Sequence, residues 1–232
     1  MRNSVRLNAL LNISPQIETI ADIGCDHALL TIKFIKSAKA KKGIASDISE
    51  KSIKKAVFYL EQENFKNSVS LRVGDGLSVL KEGEADLIAI CGLGGDLISN
   101  IIRGNIKIAK SADYLLISPH TSVAALRKCL NEAGFKILNE DLVKDGRWIY
   151  QLMLYVPGYE ETYSENELEF GRINIKKGGP YLKQLIKKRI HEMQKMGQTA
   201  NGSTSKRAVS AYKTSVKRLG ELKELLKKYE TM

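Results

Sequence analysis

Four short segments of this 232-residue chain carry carboxylates or a thiol, three of them beside glycines, in ways that a small-molecule site could use. The first is Ala21-Asp22-Ile23-Gly24-Cys25-Asp26-His27-Ala28, between two apolar runs. Its glycine lets backbone pass close to a ligand, but it is one glycine where the dinucleotide fingerprint uses three. Asp22 and Asp26 would repel a pyrophosphate, which needs bare amides. The turn therefore disfavours NAD and suits S-adenosyl-L-methionine, whose ammonium and sulfonium groups gain from nearby carboxylates. Plainer roles stand beside these: Asp26 as the cap of a helix beginning at Ala28, and His27 as a neutral imidazole orienting the turn.

Asp47, in Ser46-Asp47-Ile48-Ser49, lies 23 residues after Gly24. An acid about 20 residues beyond the glycine turn is spaced to hold ribose hydroxyls, with Ile48 beside it. Helix capping is its alternative use, although Ser49 is the better cap for a helix from Glu50. In Gly74-Asp75-Gly76 a carboxylate between glycines can accept from an adenine amino group, yet alone the segment is simply a turn. Cys91-Gly92-Leu93-Gly94-Gly95 would bring backbone within contact of a reacting methyl group or an inserted base. The order of these segments is that of Rossmann-type methyltransferases, and together they weigh more than any one alone.

Positioning them requires strand ends. Strand-like runs at 19–23, 43–47, 69–73, 85–90 and 114–117 alternate with helix-like runs at 29–39, 50–62, 96–102 and 123–133. A short amphipathic turn or helix with Val5, Leu7, Leu10 and Leu11 precedes them. Two longer strands, 135–143 and 148–156, flank Lys144-Asp145-Gly146-Arg147, whose Asp-Gly is a hairpin signal. The expected fold is α/β: a Rossmann-like, doubly wound, mostly parallel sheet with a terminal antiparallel hairpin that puts one antiparallel strand at an edge. It occupies residues 1–157.

Residues 158–232 form a linker and a basic helical part. An acidic stretch from Glu160 to Glu169 comes first. Leu182, Leu185, Ile186, Ile190 and Met193 then recur at three and four, and Gly197 to Thr204 reads as a polar loop. Ala208, Tyr212, Val216, Leu219, Leu222, Leu226 and Tyr229 complete an antiparallel helical hairpin of coiled-coil type.

Charge separates the two parts. The net +11 arises entirely at the C-terminal end, where residues 172–228 carry 16 Lys and Arg against Glu192, Glu221 and Glu224. A polyanion is the natural partner, since phosphate contacts release counterions; a solvated lysine-rich hairpin is the bland reading. At 43% apolar the composition is globular, and no apolar run reaches the ~18 residues of a membrane span. The N-terminus has no secretory pattern. Cys25, Cys91 and Cys129 fit no disulfide framework or metal-ligand spacing, so a cytoplasmic location and no metal are expected, a Cys25–His27–Cys91 zinc site being a remote alternative.

Asp22 to Ala28, Gly74-Asp75-Gly76-Leu77, Cys91 to Gly95, Leu126-Arg127 with Gly134-Phe135, and Phe170-Gly171 together resemble the bacterial tRNA (adenine(22)-N1)-methyltransferase family called TrmK. The chain has Ser118-Pro119-His120 where that family usually has Pro-Asn, and Arg172 where a proline often follows Phe-Gly. The resemblance implies a cytoplasmic enzyme that methylates N1 of an adenine in the D-arm region of tRNA, its C-terminal helices helping to hold the RNA. Carried over by position, Asp22, Gly24, Asp26, Asp47, Asp75 and Gly76 would bind S-adenosyl-L-methionine, with Cys25, His27, Ile48, Gly74, Cys91, Gly92 and Gly94 around it. Asp26, Cys91, Gly92, Leu93, Ser118, Pro119 and His120 would border the reaction centre, as acceptors for the adenine amino group or as an apolar wall. Adenine N1 carries its own lone pair, so the reaction needs positioning more than a base, and the target must be unpaired or flipped out. Lys183, Lys187, Lys188, Arg189, Lys206, Arg207, Lys213, Lys217 and Arg218 are the expected phosphate contacts, with the protein acting as a monomer. A small-molecule methyltransferase with a dimerising hairpin, and a noncatalytic RNA-binding protein with a relic donor pocket, are the competing readings.

Overall fold

The computed structural model describes the backbone of residues 4–200 and 206–230, and their side chains except at 196–200 and 206–214. Helix α1 (Val5–Ile13) is capped by Ser4, whose hydroxyl oxygen accepts from the Leu7 amide at 3.3 Å. The sheet follows in the order β3-β2-β1-β4-β5-β7-β6. Its parallel part comprises β1 (Thr19–Ile23), β2 (Lys42–Asp47), β3 (Val69–Val73), β4 (Leu87–Cys91) and β5 (Tyr114–Ser118). The expected alternation is present, with α2 (Leu29–Lys36), α3 (Glu50–Gln62), α4 (Gly95–Gly104) and α6 (Val123–Glu132) between strands. A short α5 (Ile106–Ser111), which the sequence pattern did not signal, precedes β5.

The central strands read as continuous apolar runs because both faces of the sheet are covered. Ala21, Ile23, Ile88 and Ile90 point into one core, with Ile98, Ile102 and Leu126 of α4 and α6. Their neighbours Ile20, Leu87 and Ala89 point into the other, with Leu10 of α1 and Leu30 and Phe34 of α2.

The hairpin of β6 (Phe135–Asp145) and β7 (Trp148–Pro157) ends the sheet, but with its second strand inward. β7 pairs antiparallel with β5 and with β6, so the antiparallel strand lies one place in from the edge and β6 is outermost. The β6 register shifts between Ile137 and Asn139. Nearby, the Glu160 carboxylate accepts from the Ile137 amide at 2.8 Å. Behind the hairpin, Arg127 of α6 and Glu140 of β6, both 0% exposed, form an ion pair at 2.7 Å.

Chain contacts divide the molecule into compact units at 1–169 and 170–232. Helix α7 (Glu165–Phe170) forms within the acidic stretch, and the second unit holds α8 (Arg172–Lys177), α9 (Pro180–Ala200) and α10 (Lys206–Glu230). The last two pack antiparallel, as the Lys187–Glu230 ion pair requires. Residues 197–200, expected in a loop, are helical, since α9 runs on to Ala200; the rest of the expected loop, 201–204, lies outside the described residues. Leu182, Ile186 and Met193 are buried on α9, as the three-and-four spacing predicts. On α10 the buried set is Arg218, Leu222, Leu225 and Tyr229, whereas Val216 is half exposed. The seam is thus rotated from the expected one, and the side chains of Ala208 and Tyr212 are outside the described ones.

Candidate functional site

A cavity of about 500 Å³ opens at the carboxyl ends of β1 and β4, where the strand order reverses. This is where open α/β sheets bind ligands. Ten expected residues converge on it: Asp22, Gly24, Cys25, Asp26, His27, Asp47, Cys91, Gly92, Leu93 and His120.

The turn after β1 follows an unusual path. Gly24, Asp26 and Ala28 have φ of 70°, 48° and 55°, a region that L-residues other than glycine enter at a cost. Neighbouring groups hold it there: the Cys25 amide donates to the Ser46 carbonyl at 2.9 Å, and the Asp26 amide to Asp47 Oδ2 at 3.2 Å. The other Asp47 oxygen accepts from the Ser49 amide at 2.8 Å. One carboxylate therefore joins the turns after β1 and β2, and keeps lone pairs for a diol. Ser49 caps α3 as expected.

Asp26 does not cap a helix. The N-cap of α2 is Ala28, without a side-chain bond, and the Asp26 carboxylate is largely exposed beside His27 Nδ1 at 3.3 Å. Asp22 lies deeper. It accepts from the Thr31 hydroxyl at 3.0 Å, and burial pushes its carboxyl up to about 6, against the opposing hydrogen bonds from Thr31.

The turn after β4 touches the first one, since a Cβ placed on Gly24 would meet Leu93 Cδ1 at 3.3 Å. Gly92, at φ 89°, donates its amide to the Ser118 carbonyl at 2.9 Å, and the His120 amide donates to the Leu93 carbonyl at 2.9 Å. A Cβ on Gly95 would lie 2.6 and 2.7 Å from the carbonyl oxygens of Thr121 and Ser122. Backbone cannot yield as a side chain can, so Gly95→Ala should cost about 2 kcal/mol or more, read as a lowered urea midpoint.

The thiols of the cavity offer no nucleophile. Burial raises the Cys25 thiol far above its usual range and the Cys91 thiol to about 12, so both keep their protons. Burial and the Arg6 charge lower the pKa of His120, which leaves a neutral imidazole at pH 7. Among the described residues no group of three His, Cys, Asp or Glu is placed to hold a metal ion, so Cys25, His27 and Cys91 share the cavity without converging.

Other expected residues fall outside the cavity wall. Asp75 is exposed, on a turn tied to β2 by the Gly74 amide and the Asp47 carbonyl at 3.1 Å, and Gly74 and Gly76 flank it. Ile48 is 72% exposed because the chain turns into α3 just beyond it. Gly94 packs towards Thr121, and Ser118 is buried, its carbonyl taken by the Gly92 amide and by Arg6. Pro119 lines a second cavity of about 370 Å³ with His120, Thr121, Trp148, Ile149 and Tyr150.

Sequence reasoning missed Arg6, Leu7 and Leu10 of α1 and Leu29 and Leu30 of α2, which close the first cavity. Arg6 Nη2 donates to the Ser118 carbonyl at 3.2 Å, and its guanidinium lies 4.6 Å from the Tyr150 ring centre. Nothing in the spacing of α1 marks this arginine.

On the second unit, Lys187, Lys188 and Lys217 are exposed, while Lys183 and Arg189 are partly buried. Arg218 is a correction: at 9% exposure it lies in the buried seam, paired with Glu221 at 3.1 Å, and does not present its charge to solvent. Its long aliphatic stem lets it occupy an apolar seam position. The side chains of Lys206, Arg207 and Lys213 are outside the described ones.

Residues 3–153 match the family described as "Methyltransferase domain". The tRNA (adenine(22)-N(1))-methyltransferase of Bacillus subtilis is 26% identical over 98% of this chain and 96% of its own length. Among solved structures, the B. subtilis m1A22 tRNA methyltransferase TrmK superposes with a TM-score of 0.89 at 24% identity, covering 97% of this chain and 99% of that one. M. capricolum TrmK in complex with S-adenosyl-homocysteine gives 0.83 at 24% identity, covering 99% and 100%. Both structures share the fold described above.

Proposed function

This chain belongs to the methyltransferase-domain family, and on that premise we propose that it transfers a methyl group from S-adenosyl-L-methionine to N1 of adenine 22 in tRNA. The observation that carries the reading is the likeness to the B. subtilis enzyme, which runs through 98% of this chain and so includes the helices of the second unit.

The residues of the first cavity fit such a donor. Asp22, Asp26 and Asp47 give it an acidic lining, which favours a cation and a ribose diol over a phosphorylated nucleotide. When bound, S-adenosyl-L-methionine supplies a methyl carbon made electrophilic by its sulfonium. Asp47 holds ribose hydroxyls, and Asp22 and Asp26 face the positive end. Leu7, Leu10, Leu29 and Leu93 exclude water. Protonated thiols and a neutral imidazole suit this reaction, because adenine N1 needs no proton removed. Asp75 and Gly76, on the turn that the Gly74 amide ties to Asp47, would take the adenine end of the donor. Lys183, Lys187, Lys188, Arg189 and Lys217 contact phosphates, with Lys206, Arg207 and Lys213 further along α10. Among the described residues no helix is long and apolar enough to cross a membrane. We place the enzyme in the cytoplasm as a monomer.

The test is incubation of unmodified tRNA transcripts with labelled donor, followed by mapping of the modified nucleotide through reverse-transcription arrest. Arrest at position 22 is expected; an unlabelled transcript, or label on a small molecule alone, overturns the reading. Binding to tRNA should weaken steeply with salt.

Asp22 predicts a pH dependence. Its carboxyl is raised in the folded chain from 3.8 to about 6, so the native state holds this proton more tightly than the unfolded chain. The stability that proton brings is complete at low pH, is lost as pH rises through about 6, and does not change further above it. A cationic donor prefers the ionised form, so its affinity should strengthen across the same interval. Calorimetry from pH 5 to pH 7.5 should show that step in the wild type and a flat profile in Asp22→Asn.

A further inference from the structure

The second cavity, about 370 Å³ beneath the β6–β7 hairpin, plays no part in holding the donor. Its walls are Pro119, His120 and Thr121 after β5, and Trp148, Ile149 and Tyr150 at the start of β7. It shares one residue, His120, with the first cavity, so ligands in the two would meet at that imidazole. We propose that this cavity receives the flipped-out adenine, with Trp148 and Tyr150 as its aromatic walls and His120 at the junction with the methyl donor. The inference rests on the tRNA reading above and names the residues that hold the target base.

Three observations carry it. Methyl transfer needs the accepting nitrogen about 3–3.5 Å from the methyl carbon, so the acceptor's cavity must adjoin the donor's, as this one does. The lining is mostly apolar and aromatic, with the His120 imidazole and the Thr121 hydroxyl among it, which is the composition that takes a nucleobase by its face and its edge. Trp148 is 50% exposed, and the Arg147 guanidinium lies 4.9 Å from its ring centre, which sets a cation beside that wall for a nucleotide's phosphate.

The electron balance favours aromatic walls. The N1 lone pair forms the new N–C bond, the S–C bond breaks with its electrons left on sulfur, and the products are a neutral thioether and a cationic N1-methyladenine. The positive charge therefore passes from the donor to the base, and an aromatic face attracts a cation more strongly than a neutral ring. A neutral His120 can accept from the adenine amino group.

Trp148 is the only tryptophan in the chain, so its emission reports on this cavity. Protein saturated with S-adenosylhomocysteine would be titrated with an unmodified tRNA transcript and with the same transcript made abasic at position 22. The complete transcript should quench the emission; the abasic one should bind with similar affinity and leave it unquenched. In turnover, Trp148→Ala should lower kcat/KM for tRNA about 10- to 100-fold with donor affinity unchanged, and Trp148→Phe should recover most of it. Quenching by the abasic transcript, or Trp148→Ala with wild-type kcat/KM, overturns the proposal. Base-dependent quenching by a wild-type protein that methylates no transcript would uphold the base site while overturning the enzymatic reading.

Discussion

Replacing Glu140 by alanine should cost about 3–5 kcal/mol of folding stability, the penalty for leaving a buried guanidinium without its counter-ion. Arg127 and Glu140 are both fully buried, and each nitrogen of the guanidinium has an acceptor. Its Nε and Nη2 donate to Glu140 Oε1 at 2.9 and 2.7 Å, Nη2 also to Gln151 Oε1 at 2.8 Å, and Nη1 to the Leu168 carbonyl at 2.8 Å. The network binds α6, both hairpin strands and α7 into one body. Urea denaturation followed by circular dichroism would measure the loss. The double variant Arg127→Met with Glu140→Leu should recover much of it, because the desolvation cost of both charges disappears with them. If the single variant unfolds like the wild type, the ion pair contributes nothing to the fold.

Asp47→Ala should weaken binding of S-adenosyl-L-methionine about 100-fold, read by calorimetry, with the fold intact. Two effects add. The carboxylate loses charge-assisted bonds to ribose hydroxyls, each contributing about 1.5–3 kcal/mol. The Asp26 and Ser49 amides also lose their shared acceptor, so the strained turn after β1 is released from the turn after β2. Asp47→Asn keeps one acceptor oxygen and should fall between the two. Wild-type affinity in Asp47→Ala would remove the carboxylate from the donor site.

The sheet was legible because its central strands are buried on both faces, so Thr19–Ile23 and Leu87–Cys91 stand out as short apolar runs ending in glycine turns. The carboxylates at those turns were legible for the same reason, as strand ends are where polar residues can reach a ligand. Arg6 was not, because it meets the site through Ser118, 112 residues away, a proximity created only when α1 packs. The hairpin cavity was hidden likewise: Trp148 and Tyr150 read as alternating strand residues, and only the inward placement of β7 sets them beside His120. Glu165–Phe170 read as a linker from its charge, yet it forms a helix whose Leu168 carbonyl takes a hydrogen bond from Arg127. On α10, heptad counting favoured Val216 over Arg218, because hydrophobicity alone cannot foresee a guanidinium that packs by its stem and pairs with Glu221.

The outermost strand bears on aggregation. An unpaired sheet edge offers a row of amides on which another chain could nucleate. Along β6 the amide of Ile137 is taken by the Glu160 carboxylate, that of Glu140 by the Asn139 side chain at 2.9 Å, and that of Leu142 by the Asp141 carboxylate at 2.9 Å. With the register break between Ile137 and Asn139 interrupting the row, an incoming strand meets three amides already taken and no straight template. This edge of the sheet is thereby guarded against fibril-like growth, with α1 packed against the same strand and bonded to Asp145 at its end.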